Sequence, residues 1–362
     1  MSTTFEDVFT FAVAQLRRLI EAHPGAFPMY TTQGRWDFSG EAWTNWCEGF
    51  LGGQLWLLHL HTGDPYWRAQ AEKYTLLLEP RQHDRTVHDL GFIFMPTYLR
   101  WYDLTGDSAL LQVLIQAGRT LAWRFQPRGG YLCSFLGENS LFIDIMMNVP
   151  LIFYAAQKAS DPELERLARQ HCLTTRKYLV RGDGSTVHEG LFDTATGEFL
   201  RPSTQQGWRP DSCWGRGLAW ALYGFALVYT YTHDPCFLQT AQSCADYYLQ
   251  HTPEHGIPPN DWDEPSPALQ YESSAAVIAA GGLLLLSQVS LPWAAADRYR
   301  QAALCILETL CTPEFLAVDT PGWEGLLKHG IYHPRKRLGV DESVMWGDYF
   351  FLDALYTVLH GS

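Results

Sequence analysis

Two aspartates stand where a carboxylate has least reason to be. Asp144 lies in LFIDIMMNVPLIFYAA, residues 141–156, with Phe142 and Ile143 before it and Ile145, Met146 and Met147 after it. Asp89, in TVHDLGFIF, has the same kind of place at the mouth of another apolar run. A carboxylate withdrawn from water loses several kcal/mol of hydration unless it is paired, hydrogen-bonded or protonated. Either residue alone reads equally well as a helix cap or as a partner for a backbone amide. Two in matching settings describe an acid–base pair, provided that the fold brings them together. Asn148, four residues after Asp144, would share its face on a helix.

The elements that must position them are helical. Phe5, Val8, Phe9, Phe11, Ala12, Leu16 and Ile20 repeat with helical period, and the run ends at His23-Pro24-Gly25. Similar reasoning predicts twelve helices: 4–22, 43–61, a third to 78, 89–105, a fifth to 125, a sixth from Asp144, a seventh to 179, an eighth from Trp214, a ninth to 250, then 272–288, 294–310 and 346–359. Tight breaks at Asp64, Asp107, Asp161 and Asp234 follow strongly apolar helices and open more polar ones. Asp before Pro or Ser at a helix start is N-cap chemistry. Alternating apolar and amphipathic helices predict an all-α fold, an (α/α)6 barrel of six helical hairpins, as a single domain over 1–362. No stretch of useful length alternates with period two, so no large sheet is expected. Gly52, Gly53, Gly224, Gly281 and Gly282 would let inner helices approach closely, and Pro150 should kink the sixth helix.

If the tight breaks form one rim, all six inner helices begin on the other. At those beginnings stand Trp43 and Trp46, His88 and Asp89, Asp144, Trp214 with Arg216 and Trp220, Glu272 to Ser274, and Trp346 with Asp348. Converging helix N-termini favour an anion, and the aromatic walls suit a polar ring-shaped ligand. The bulk charge points elsewhere: 26 Lys and Arg against 39 Asp and Glu give −13. That argues against nucleic acid and anionic membrane as partners, while a local field need not follow the global one. The 14 Trp and 18 Tyr fit a carbohydrate-facing cleft as well as a large helical core. The eight cysteines have neither metal-ligand nor disulfide-framework spacing, so no metal is expected. Free thiols, an acidic N-terminal segment unlike a signal peptide and no run long enough to span a bilayer give a cytoplasmic expectation.

Several blocks, in order, resemble one family. HDLGF around Asp89, FIDIMMNVPL around Asp144, VRGDGSTVH ending at His188 and QQGWRPDSCWGRGLAWALYGFA over 205–226 are similar to the unsaturated glucuronyl hydrolases, glycoside hydrolase family 88. So are YESSAAVIAAGGL over 271–283 and HGIYHPRKRLGVDESVMWGDYFFLDAL over 329–355. The resemblance spans nearly the whole chain and implies the same (α/α)6 barrel. It implies a substrate made by a polysaccharide lyase: an oligosaccharide ending in a 4,5-unsaturated uronic acid. The ring double bond is hydrated, and the hemiketal then opens and expels the remaining sugar. No cofactor is implied. Asp144 matches the proton donor, which then takes a proton from water, and Asp89 the second carboxylate.

Other matches imply binding roles, each set against a structural one. Arg216 would pair with the uronate carboxylate or bridge helix ends. Trp46 and Trp220 would stack on sugar or pack the core, and Trp214 likewise. His88, His188 and Gln206 match ligand-contacting positions, although a lone His often serves structure. The approach to Asp144 is short for the family, leaving Phe135 as the aromatic of that wall, and Glu272 stands where Asp is expected. The loop 333–339 carries His333, Arg335, Lys336 and Arg337, so Arg335 and Lys336 would meet acidic or sulfated groups. The alternatives are an unsaturated rhamnogalacturonyl hydrolase acting on pectin fragments, a sugar epimerase, for which paired histidines would be needed, and a non-catalytic sugar-binding barrel. A monomer or homodimer is expected.

Overall fold

A helix that is apolar on every face has to be enclosed, whereas one with a single apolar stripe needs only one covered side. That contrast sorts the chain into two rings. The computed structural model describes residues 3–38, 45–265, 270–290 and 292–361. Its helices are α1 (Phe5–Ala22), α2 (Glu48–Thr62), α3 (Pro65–Leu77), α4 (Leu90–Phe94), α5 (Arg100–Thr105), α6 (Ser108–Ala122), α7 (Pro150–Ala159), α8 (Pro162–Leu179), α9 (Gly215–Thr232), α10 (Pro235–His251), α11 (Ser273–Val289), α12 (Trp293–Leu310) and α13 (Met345–His360). A π-helical turn at Met95–Leu99 joins α4 to α5, so the two form one rod. The inner ring is α2, α4–α5, α7, α9, α11 and α13, each packed on the next, with α13 returning to α2. The helices α1, α3, α6, α8, α10 and α12 lie outside against them. The chain is an (α/α)6 barrel.

On the tight rim the caps form as the sequence predicts. Asp64, Asp107, Asp161 and Asp234 start α3, α6, α8 and α10, each accepting an amide hydrogen from the first turn. The inner helices begin at the opposite rim. Glu272 caps α11, accepting from Ser274 and Ala275. The predicted start of the second helix at Trp43 lies outside the described residues. Two details differ from the sequence reading. Residues Ile143–Met147 form a 3-10 turn, and α7 begins only at Pro150. Pro150 therefore does not kink a helix; it occupies the first helical position, where its missing N–H costs nothing.

The open rim also carries short strands that no long alternation announced. Among the described residues the largest sheet has three strands, Ser140–Phe142, Glu189–Phe192 and Phe199–Ser203, all antiparallel. A hairpin, Gly330–His333 with Leu338–Glu342, covers another part of the mouth. Strands of three to five residues have too few alternations to stand out from loop sequence.

Candidate active site

The three-stranded sheet is what brings residues 144 and 188 together. Phe142 pairs with Glu189, and the next ladder bond runs from the Ile143 amide to the His188 carbonyl at 3.0 Å. Asp144 thus leaves the sheet beside the point where His188 enters it. A second clamp brings in Asp89. Asn148 Oδ1 accepts the Phe92 amide at 2.9 Å, and its Nδ2 donates to the Asp144 carbonyl at 3.2 Å. The crossing is so close that a Cβ on Gly91 would lie 2.5 Å from Asn148 Cα, which only glycine permits. Asn148 therefore does not share a helical face with the Asp144 carboxylate; it ties the Asp144 turn to the start of α4.

The outcome is one cavity of about 240 Å³ at the open mouth. Asp89 and Asp144 both line it, with Trp46, His88, Phe135, Gln206, Arg216 and Lys336 from the sequence reading. Leu136, Phe142, Gln205, Tyr332 and His333 complete it and were not singled out as wall residues. Gln205 adjoins Gln206, and Tyr332 and His333 end a strand pointing into the mouth, which are the signals that could have found them. Four expected residues lie elsewhere. Trp214 and Trp220 are buried behind the wall, Trp214 against His188 and Trp220 against Phe92. His188 is enclosed beneath Asp144, and Arg335 is exposed, donating to the Trp208 carbonyl at 2.8 Å. Both tryptophans act on this wall through packing, since sugar cannot reach a fully covered ring.

Each aspartate faces an imidazole whose tautomer is fixed from behind. His188 Nδ1 accepts the Gln205 amide at 3.2 Å and the Gln206 amide at 3.4 Å, with the Thr204 hydroxyl, able to donate as well, at 3.1 Å. An amide can only donate, so Nδ1 is bare and the proton of a neutral ring sits on Nε2. Nε2 faces Asp144 Oδ2 at 3.6 Å, and among the described residues neither atom has a hydrogen-bond partner. His88 repeats the arrangement: Nδ1 accepts the Phe135 amide at 3.0 Å, and Nε2 faces Asp89 Oδ1 at 3.4 Å. Burial holds both rings neutral, with His188 pushed down to about 3 and His88 well below its ordinary value. The histidines are therefore N–H groups aimed at carboxyls, not bases.

The carboxyls move the other way. Burial raises Asp144 from 3.8 to about 7, opposed by the positive charge of Arg216. Burial, then the charge of Asp144, raises Asp89 to about 8. Asp144 is the more open, its side chain 15% exposed against 7% for Asp89. Near neutral pH the site thus holds a buried protonated carboxyl beside an accessible one that can give and regain a proton.

Arg216 is 1% exposed, with its guanidinium 4.5 Å from the Trp214 ring and 5.2 Å from the Trp346 ring. Its fork donates to the Ile331 carbonyl, to Gln206 Oε1 and, at 3.0 Å, to the Tyr332 carbonyl, and Glu272 lies 3.7 Å away. Of the two roles open in the sequence, bridging is built in, and the cation still reaches the cavity wall. The Trp46 ring lies tilted against Trp346 at 4.7 Å and Phe92 at 5.5 Å, presenting a half-buried indole to the cavity. Asp348, fully buried, accepts the Leu326 and Leu327 amides and serves a loop rather than the cavity. Among the described residues no cluster of three or more His, Cys, Asp or Glu could hold a metal ion, and no helix is long and apolar enough to cross a membrane.

A helical barrel with paired carboxyls under an aromatic mouth has the build of a glycoside hydrolase. Residues 19–256 match the model of Glycosyl Hydrolase Family 88, and the chain belongs to that family. The unsaturated glucuronyl hydrolase of Bacillus sp. (strain GL1) is 32% identical over 329 residues, covering 88% of this chain and 87% of the relative. The unsaturated chondroitin disaccharide hydrolase of Streptococcus pneumoniae is 32% identical over 327 residues, 86% of this chain and 81% of the relative. The crystal structure of the Bacillus sp. GL1 enzyme superposes with a TM-score of 0.93 at 29% identity, over 99% of this chain and 97% of the other. An Asp-to-Asn variant of a Streptococcus agalactiae unsaturated glucuronyl hydrolase, complexed with dGlcA-GalNAc6S, superposes with a TM-score of 0.83 at 28% identity, over 99% and 93%.

Proposed function

We propose that this cavity removes the 4,5-unsaturated uronic acid from the non-reducing end of lyase-generated glycosaminoglycan oligosaccharides. The observation that carries the reading is the carboxyl pair: a buried Asp89 and a partly exposed Asp144 in one cavity, both pushed towards the protonated form near neutrality, each faced by a neutral imidazole N–H. Asp144 gives its proton to carbon 4 of the double bond, and positive charge develops at carbon 5 and the ring oxygen. Water adds at carbon 5 and returns a proton to the Asp144 carboxylate, which His188 Nε2–H steadies in the interval. The hemiketal so formed opens at its ring oxygen, and the freed carbon 1 hemiacetal expels the remaining sugar as an alcohol. One water is consumed and Asp144 ends as it began.

Asp89, still protonated, keeps a second negative charge away from the uronate, whose carboxylate is balanced by the Arg216 cation. Trp46 and Phe135 offer the exposed ring surface for the sugar. Lys336 at the wall, more than Arg335 on its outer side, meets acidic or sulfated groups of the next residue. The chain works as a single catalytic unit, monomeric or as a homodimer, on fragments taken up into the cytoplasm.

Purified protein should abolish the far-ultraviolet absorbance of an unsaturated chondroitin or hyaluronan disaccharide. Turnover confined to unsaturated rhamnogalacturonan disaccharides would instead support the pectin reading. Absorbance unchanged on every unsaturated uronide overturns the proposal.

A further inference from the structure

Beyond the catalytic cavity, on the same rim, lies a larger and more open groove of about 800 Å³. Its lining includes Arg85, Trp123, Arg124, Arg128 and Glu138. Three arginines against one carboxylate make it a positive region on a chain of net charge −13. Its aromatic element is unusual in its exposure. Trp123 closes α6 with 68% of its surface in solvent, and the Arg85 guanidinium lies 4.2 Å from the ring centroid. A large apolar ring left open beside cations is the surface on which a sugar face stacks while its acidic groups find counter-charge.

The groove is rigidly made. Arg124 donates from Nε to the Cys133 carbonyl at 2.8 Å and from its two terminal nitrogens to the Arg85 and Ser134 carbonyls. One side chain thus pins three segments of the wall. Arg128 reaches across to the Thr194 carbonyl at 3.1 Å and fixes the far side. Arg85, Trp123 and the exposed edge of Arg128 are the groups presented to a ligand.

Its position supplies the ligand. The ridge between cavity and groove is the single turn Phe135–Glu138. Phe135 and Leu136 face the catalytic cavity, whereas Gly137 and Glu138 line the groove. A glycan held by its terminal uronate in the cavity and leaving over Leu136, itself 47% exposed, runs into the groove. We propose that this groove is an accessory site for the continuing anionic oligosaccharide, beyond the sugar released in the first step. Trp123 stacks on a ring and Arg85 and Arg128 pair with uronate or sulfate groups. The assignment rests on the reading of the cavity as an unsaturated-uronide hydrolase, and it predicts that long substrates are held at two places.

The test compares an unsaturated chondroitin sulfate disaccharide with the corresponding hexasaccharide, using the full chain and the variants Trp123→Ala and Arg85→Ala/Arg128→Ala. Disaccharide kcat/KM should stay within twofold of wild type. Hexasaccharide kcat/KM should fall roughly tenfold, almost wholly through KM, as expected for a lost stacking or ion-pair contact. Hexasaccharide kinetics that match wild type in both variants overturn the proposal. Calorimetric titration of the hexasaccharide into Asp144→Asn protein, with and without Trp123→Ala, tests the groove independently of turnover. Equal affinities reject it, whereas a wild-type protein inactive on both substrates rejects the reading of the cavity.

Discussion

On the tight rim of the barrel, Asp64, Asp107, Asp161 and Asp234 stand at helix starts, and each lends its side chain to an amide of the first turn. On the open rim, Asp89 also stands at the N-cap of a helix, yet its carboxyl bonds to none of that helix's amides. Asp144, in the turn before α7, leaves Oδ2 without a hydrogen-bond partner among the described residues. The contrast shows in the protonation equilibria. The Cys236 amide holds Asp234 below the usual carboxylate range, whereas burial lifts Asp89 to about 8. One residue type at the start of a helix or turn is thus a charged acceptor at one rim and a proton-holding carboxyl at the other. What separates them is burial, which lifts even Asp348, an acceptor of two amides, to about 7.

The largest effect should come from removing the transferable proton. Asp144→Asn keeps the shape of the wall but cannot protonate carbon 4, so kcat should fall about a thousandfold or more. Disaccharide binding, measured by calorimetry, should survive. A kcat within tenfold of wild type would place the acid elsewhere and dissolve the distinction between the rims. Asp89→Asn should cost less, about a hundredfold, because an amide is neutral as the protonated carboxyl is but lacks its O–H. If instead Asp89→Asn were the more damaging, the roles of the two carboxyls would be exchanged.

How much of this was legible in the sequence follows from range. The helices and their caps depend on periodicity and on residues two or three apart, and the twelve rods, the tight rim and the barrel were readable on that basis. The two apolar-flanked aspartates were also visible, because burial of a charge is a local oddity. The means of their meeting was not. Strands of three residues at 140–142 and four at 189–192, the Asn148 bridge and the contact at Gly91 are long-range pairings without a repeating pattern. The enclosure of Trp214 and Trp220 was hidden for the same reason, since indoles at an inner helix start can face either the mouth or the wall. The family resemblance supplied the residue roles that spacing could not.

Protonation gives a further way to sharpen the comparison. Asp89 and Asp144 hold protons more tightly folded than unfolded, where a carboxyl titrates near 4. Between that pH and about 7 to 8 the folded state binds more protons, so stability falls as pH rises. Asp89→Asn has no charge to bury. It should therefore melt above wild type at pH 9, with the gap shrinking towards pH 5. The same sign governs turnover, and kcat/KM should decline as pH rises through about 7, where Asp144 loses its proton. A melting gap that widens on acidification would mean that these carboxyls are ionised and paired.

A smaller effect is expected at the cavity edge. Lys336 lines the wall while Arg335 is turned outward to Trp208, so the two bases of one loop should separate. Lys336→Ala should raise KM for a sulfated disaccharide several-fold, as for the loss of one charge-assisted contact. Arg335→Ala should leave it nearly unchanged. Equal effects would show that the loop rearranges around substrate.

The smallest change in turnover should come from the tight rim, which makes it the cleanest control. Asp107→Ala removes the acceptor for the Ala109 amide at the start of α6, a hydrogen bond of 2.8 Å at an exposed site. The amide then bonds to water, so the loss is that of a cap, about 1 kcal/mol, and the melting point should drop by roughly 2 °C or less in a chain of this size. Turnover should be unaltered, because α6 lies in the outer ring and Asp107 at the rim away from the cavity. A fall in kcat without a matching loss of stability would mean that the rims are mechanically linked through the outer helices. The division between capping aspartates and cavity aspartates would then be one of degree.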